Sequence, residues 1–129
     1  MYIAFNPTRL ITDGAGKLQA VLQQCDSSDP PQGKEHTALS GAREFTAYRI
    51  ERHTVCRTVP MRLTPAQLTK WREFGASCAF GEYFTFDAEG TEAAPDDPQT
   101  VQLKFKSFKE KRYPGRLYEF SFTTIQVIA

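Results

Sequence analysis

No window of this chain approaches the roughly 20 apolar residues that a membrane-spanning helix needs, and the N-terminus lacks the basic-then-apolar layout of a signal peptide. The expectation is a protein made and kept in a cytoplasm, with no membrane partner. Cysteine is scarce as well. Cys25, Cys56 and Cys78 are odd in number and widely spaced, which argues against a disulfide framework and for reduced thiols, although one pair can still form by proximity. Neither sign of charge is in excess: the net charge of +1 carries no message about a polyanionic partner. There is no phosphate-cradling glycine motif and no internal repeat.

Metal ligands at short spacing are missing too. The three Cys and two His, His36 and His53, invite a zinc site, yet no two of them stand in the C-x2-C or H-x3-H pairing that lets adjacent ligands share one ion. Structural thiols and surface histidines are the expectation, with no metal and no cofactor. A Cys–His nucleophilic pair meets in space rather than in sequence, so spacing does not speak against it. Nothing in the sequence supports one, and Cys56 and Cys78 lie beside apolar segments where burial raises a thiol's pKa. No enzymatic activity is expected.

What the chain does have is aromatic and apolar mass. Apolar residues make up 40% of its 129 residues, with ten Phe and five Tyr, enough for an ordered fold and for one core but not two. Residues 1–129 are therefore read as one domain.

The best-marked stretch is VCRTVPMRLTPAQLTKWREFGASCAFGEYFTFD, from Val55 to Asp87. Val55, Val59, Met61 and Leu63 alternate with Thr54, Cys56, Thr58 and Arg62, which predicts a strand with the odd positions buried. Thr64-Pro65-Ala66-Gln67 is a capping box with proline at the first helical position, flanked by Leu63 and Leu68 for a hydrophobic staple. The helix that follows presents Leu68, Trp71, Phe74 and Cys78 on one face and Thr69, Lys70, Arg72 and Glu73 on the other. Gly75 and Ser77 mark its end within about three to four turns. Phe84 and Phe86, between Tyr83, Thr85 and Asp87, then predict a second strand. Leu63, Leu68, Trp71, Phe74, Phe84 and Phe86 are the predicted core.

Around this unit, Met1 to Leu10 predicts a short strand ended by Asn6-Pro7, and Lys17 to Gln24 a second strand. Cys25 to Gly41, polar and broken by Pro30, Pro31, Gly33 and Gly41, predicts a long loop with at most a brief strand at Thr37 to Leu39. Arg43 to Ile50 predicts a third strand with apolar residues on both faces, after which Glu51-Arg52-His53 turns the chain. Ala88 to Thr100 predicts an acidic loop. In the last third, Val101, Leu103 and Phe105 lead through Tyr113-Pro114-Gly115-Arg116, a proline–glycine turn, into a return strand. There Tyr118, Phe120 and Phe122 share one face and Ile125 and Val127 the other, a change of phase that predicts a bulge near Thr123 or Thr124. The class is mainly β (α+β), a β-sandwich or split β-barrel with one α-helix inserted between strands.

Two surfaces carry candidate function. The acidic loop holds Glu89, Glu92, Asp96 and Asp97, which could pair for hydrolysis. A Pro-rich loop is a poor frame for two rigid carboxylates, so a solvated or partner-facing loop is expected instead. The basic hairpin holds Lys104, Lys106, Lys109, Lys111, Arg112 and Arg116, with Phe108 and Tyr113 interleaved. It reads either as a single-stranded nucleic-acid surface on a small β-barrel or as charge that guards a strand edge or meets an acidic patch on a second copy. Long polar loops in so small a domain are functional, partner-covered or simply mobile.

The order of strand, Thr-Pro-x-Gln helix with a tryptophan, Gly-Glu-Tyr-Phe-Thr-Phe-Asp strand, acidic loop, charged hairpin and terminal RLYEFSFTTIQV strand, roughly Ser40 to Ala129, resembles the distal tail and minor tail proteins of long-tailed bacteriophages. It is similar in particular to the small tail-tip proteins of the lambda minor tail protein M type. The resemblance implies a non-enzymatic structural virion protein, assembled in the host bacterial cytoplasm. It would form a ring, usually hexameric, that joins the tail tube to the tip or baseplate complex and leaves a channel through which DNA passes. Partners would be copies of itself, the tube protein and other tip proteins. Some such proteins carry extra carbohydrate- or receptor-binding domains, for which these 129 residues leave no room. For the ring contact, Glu92, Asp96 and Asp97 are expected to meet Lys104, Lys109 or Arg112 of a neighbour.

Overall fold

The structure, a computed structural model, describes residues 1–9, 16–29, 31–37 and 43–127, of which 31–37 and 43–49 are described as backbone. Ten strands and one helix follow in the order β1 (Tyr2–Ala4), β2 (Lys17–Gln19), β3 (Leu22–Ser28), β4 (Pro31–Thr37), β5 (Arg43–Thr58), β6 (Met61–Arg62), α1 (Pro65–Ser77), β7 (Phe84–Asp87), β8 (Gln99–Leu103), β9 (Lys109–Tyr113) and β10 (Leu117–Val127). The mainly β class with one inserted helix is as expected.

All pairings are antiparallel, and the sheet runs β2-β1-β7-β8-β10-β5-β3. The long β10 organises it. Residues 124–125 lie between β8 and β5, and 117–118 between β9 and β6, so β8 and β9 follow one edge of β10 while β5 and β6 follow the other. The sheet is not closed into a barrel. Its end strands β2 and β3 are joined through Ala20 and Val21, whose backbone bonds go to Met1 and Val59 instead.

Helix α1 forms where the cap predicted it. Thr64 Oγ1 accepts from Gln67 N–H, the Gln67 side chain accepts from Thr64 N–H, and Pro65 occupies the first turn. Trp71, Phe74 and Cys78 are buried against the sheet, with Leu63 and Leu68 half-buried at the margin. Trp71 stacks on Phe120 at 4.6 Å, and Phe74 meets Phe5, Phe84, Phe108 and Phe122 at 5.0–5.7 Å between ring centres. Phe86 closes this core against Phe122. Gly75 does not end the helix. The helix ends at Ser77, within the expected three to four turns; Gly75 lies inside it, and a Cβ there would come within 2.5 Å of the Phe108 ring, so the hairpin packs directly on the helix backbone at this point.

Several strand expectations are corrected. The predicted loop from Cys25 to Gly41 is largely two strands, β3 and β4, both paired to β5; Leu39 lies outside the described residues. β3 buries little, so no period-two signal marks it, and backbone pairing with β5 decides the conformation of both strands. Nor does Glu51-Arg52-His53 turn the chain. β5 runs straight through it for 16 residues, and among the described residues its first half pairs with β4 alone, as a two-stranded arm beyond the body of the sheet.

The phase around Val55 is inverted. Thr54, Cys56 and Thr58 face the core, whereas Val55 is 43% exposed. Val59 and Pro60 interrupt the strand, and a slip of one residue exchanges the two faces; only past them do Met61 and Leu63 turn inward. No bulge occurs near Thr123 either. The β10–β5 register is unbroken from Ser121 to Val127, Thr124 takes the next buried place after Phe122, and Ile125 and Val127 lie on the outer face. Phe105, read as a strand residue, is exposed just past the end of β8.

Candidate functional site

Three buried acids hold the loops in place, and periodicity had pointed to none of them. Glu73, predicted to face solvent, is fully buried. It accepts from the Arg9 N–H at 2.7 Å and the Ser77 hydroxyl at 2.8 Å, while Ser77 Oγ in turn accepts from the Thr8 N–H, so the N-terminal segment is tied to α1. Glu119 accepts from Gln23 and from the Tyr113 hydroxyl, with Arg57 at 3.6 Å, linking β3, β5 and β9 to β10.

Asp87 ends β7 at the mouth of the acidic loop. Its carboxylate accepts from the backbone N–H groups of Gly90 and Asp96 at 2.9 Å and of Asp97 at 3.3 Å. Burial works to raise its pKa, but the N–H groups of Asp96, Asp97, Gly90 and Glu89 outweigh it and hold the carboxyl below its ordinary range. A Cβ on Gly90 would fall 2.1 Å from Asp87 Oδ2. The Asp-x-x-Gly spacing at a strand end was the signal that could have found this clasp. The acidic loop is thus shaped by the carboxylate that precedes it.

The predicted contact residues are distributed as follows. Glu92 is engaged within its own chain by Lys17 at 2.5 Å. Asp96 and Asp97 are exposed beside the clasp, and Asp97 accepts from the Gln99 side chain. Lys104 follows β8. Lys109 and Arg112 are exposed on β9, with the Arg112 guanidinium over the Tyr118 ring at 5.9 Å. The structure does not bring the acidic and basic groups together within one chain.

The aromatics of the basic hairpin are already occupied. Phe108 is half-buried against Phe74 and Phe120, and Tyr113 donates to Glu119 while Lys111 covers its ring at 4.9 Å. Both rings are thus engaged within the chain, which weakens the nucleic-acid reading at its specific residues.

Among the described residues, no group of three or more His, Cys, Asp and Glu side chains is placed to share a metal ion; the His36 side chain lies outside them. Cys25 and Cys56 are direct cross-strand partners. Burial, reinforced by Cys25, raises the Cys56 thiol, and burial pushes Cys78 up to about 12. Both are poor nucleophiles in this state. A hollow of about 350 Å³ opens between β3, β5, β7, β8 and β10, with Phe86, Ala88 and Val101 in its lining and Glu89, Asp96 and Asp97 beside them.

No family model matches this chain, and no curated protein does. A search of solved structures matches a chain from the tail of an empty gene transfer agent particle with C6 symmetry. The likeness covers 85% of this chain and 80% of that one, with a TM-score of 0.50 and 13% identity. At that identity the likeness is one of fold.

Proposed function

We propose that this chain is a non-enzymatic structural subunit of a bacteriophage or phage-like tail. It would assemble in the host cytoplasm and reside in the virion as a distal tail or minor tail protein of the lambda M type. Copies would associate into a ring, six in the complete assembly, that joins the tail tube to the tip and leaves an axial channel for DNA. The observation that carries this reading is the shared fold, over 85% of the chain, with a chain of a C6-symmetric tail. A two-stranded arm with no third strand beside it among the described residues supports the reading, because such a ribbon is marginal in water unless something covers it. So does the segregation of charge into an acidic loop and a basic hairpin.

The test is the mass of the purified protein over a concentration series, with negative-stain images of the heaviest species. Rings with a central hole are the expected outcome. A protein that stays monomeric both alone and when mixed with tail-tube protein would overturn the reading.

A further inference from the structure

The sheet carries, on its outer face, an exposed aromatic knob. Phe80, in the link between α1 and β7, is 71% exposed, and Phe105, just past β8, is 62% exposed. Their rings are 6.0 Å apart, and each carries a cation: the Arg9 guanidinium lies over Phe80 at 5.8 Å and the Lys106 ammonium over Phe105 at 5.4 Å. The Gln102 side chain donates to Gly81 O at 2.6 Å and fixes the link against β8. Two large, adjacent, solvent-exposed rings are unusual on a surface with nothing to meet.

The hollow described above is their counterpart in chemistry. It has an apolar floor of Phe86, Ala88 and Val101 and an acidic rim of Glu89, Asp96 and Asp97; its one cation, Arg52, is paired with Asp29 at 2.9 Å. Knob and hollow cannot meet within a chain. Gln102 and Ile125 are cross-strand partners on the outer face, whereas Val101 and Thr124 turn to the core face where the hollow opens. The two features therefore lie on opposite faces of one sheet.

We infer that the Phe80–Phe105 knob of one copy seats in the hollow of the next, with Arg9 and Lys106 against Glu89 and Asp96. The occupant is a second copy of this chain, because the complementary charge and the complementary apolar floor are both found on it. Such a contact joins two different surfaces, so it propagates head to tail and closes into a ring or continues as a filament. The inference deepens the ring reading above and rests on it, and it replaces Lys104, Lys109 and Arg112 as the expected basic partners.

The experiment uses two full-length variants. Phe80→Ser with Phe105→Ser removes the knob and keeps the hollow; Glu89→Lys with Asp96→Lys spoils the hollow and keeps the knob. All four side chains are exposed, and circular dichroism melts check that both variants fold. Each variant alone is expected to self-associate at least about tenfold more weakly than wild type. Mixed in equal amounts they are expected to form a 1:1 dimer and nothing larger, since one intact knob and one intact hollow remain between them. That dimer should weaken as salt is raised. If wild type assembles and both variants assemble equally well, or if the mixture stays monomeric, this contact is overturned while the ring reading stands. A wild type that never associates removes both.

Discussion

Replacing Trp71 by alanine tests how the helix is held to the sheet. Trp71 is 2% exposed and stacks on Phe120 with centres 4.6 Å apart and planes 5° from parallel. An aromatic of this kind buries roughly 150–250 Å², which at about 25 cal/mol per Å² amounts to about 4–6 kcal/mol. The unfolded chain already hides part of that area, and Ala keeps a little of it, so about 3–5 kcal/mol is the working figure. For a domain of this size the loss lowers Tm by about 10–20 °C. The assay is circular dichroism, because Trp71 is the chain's one tryptophan and the variant has no indole fluorescence. A double-mutant cycle of Trp71→Leu with Phe120→Leu should give a coupling of about 0.5–1.5 kcal/mol for the stack. An unchanged Tm for Trp71→Ala would refute the packing of α1; a coupling of zero would refute the stack alone.

Other perturbations probe separate parts of the fold. Gly75→Ala should gain about 1 kcal/mol of helix propensity and lose about 1–3 kcal/mol by crowding Phe108, so a net loss in urea midpoint is expected and a rise would mean that the ring swings aside. Thr64→Ala removes half of the capping box and should cost about 0.5–2 kcal/mol, read as earlier thermal unfolding; no effect would show the cap to be idle. Asp87 has a folded pKa below its ordinary 3.8, so its stabilisation is complete above that value and is lost as pH falls through the lowered folded pKa. The difference in urea midpoint between wild type and Asp87→Asn should therefore be steady near neutrality and shrink below about pH 4, and a difference independent of pH would refute the carboxylate clasp.

The helix was legible because its signals are local. Thr64, Pro65 and Gln67 act within four residues of one another, and Leu68, Trp71 and Phe74 repeat at the helical period over a segment with one buried face. The strands were legible only where one face is buried by large side chains, as in Phe84 and Phe86 or Tyr118, Phe120 and Phe122. Where the core-facing side chains are small or polar, periodicity misleads. Thr54, Cys56 and Thr58 point inward because the β10 backbone needs Thr58 Oγ1, which accepts from the Phe120 N–H at 3.1 Å; Val55 is left outside though it is the more apolar residue. The buried acids are invisible for the same reason. Glu73 and Glu119 depend on donors remote in sequence, Arg9 and Gln23, which no window contains together with the acid; Asp87 alone takes its donors from the loop that follows it.

The candidate surfaces were legible in charge but not in shape. The acidic and basic groups stand out in sequence, yet Glu92 is taken up by Lys17, and Phe108 is drawn into the core, facts that only the fold supplies. Phe105 gave the reverse error: it reads as a strand residue in line with Val101 and Leu103, and the chain places it outside, beside an exposed Phe80 on which periodicity was silent. The polar stretch now known as β3 and β4 has its meaning in the same way. Because β5 is one 16-residue strand, half anchored between β3 and β10 and half paired with β4, the arm inherits its direction from the body of the sheet. An isolated ribbon would lack that support. The outer edges of the arm still carry backbone N–H and C=O groups that pair with no described strand, and an edge of this kind is a template for another chain. On the ring reading proposed above, an edge that projects in a direction set by the core is where a neighbouring copy would complete the sheet.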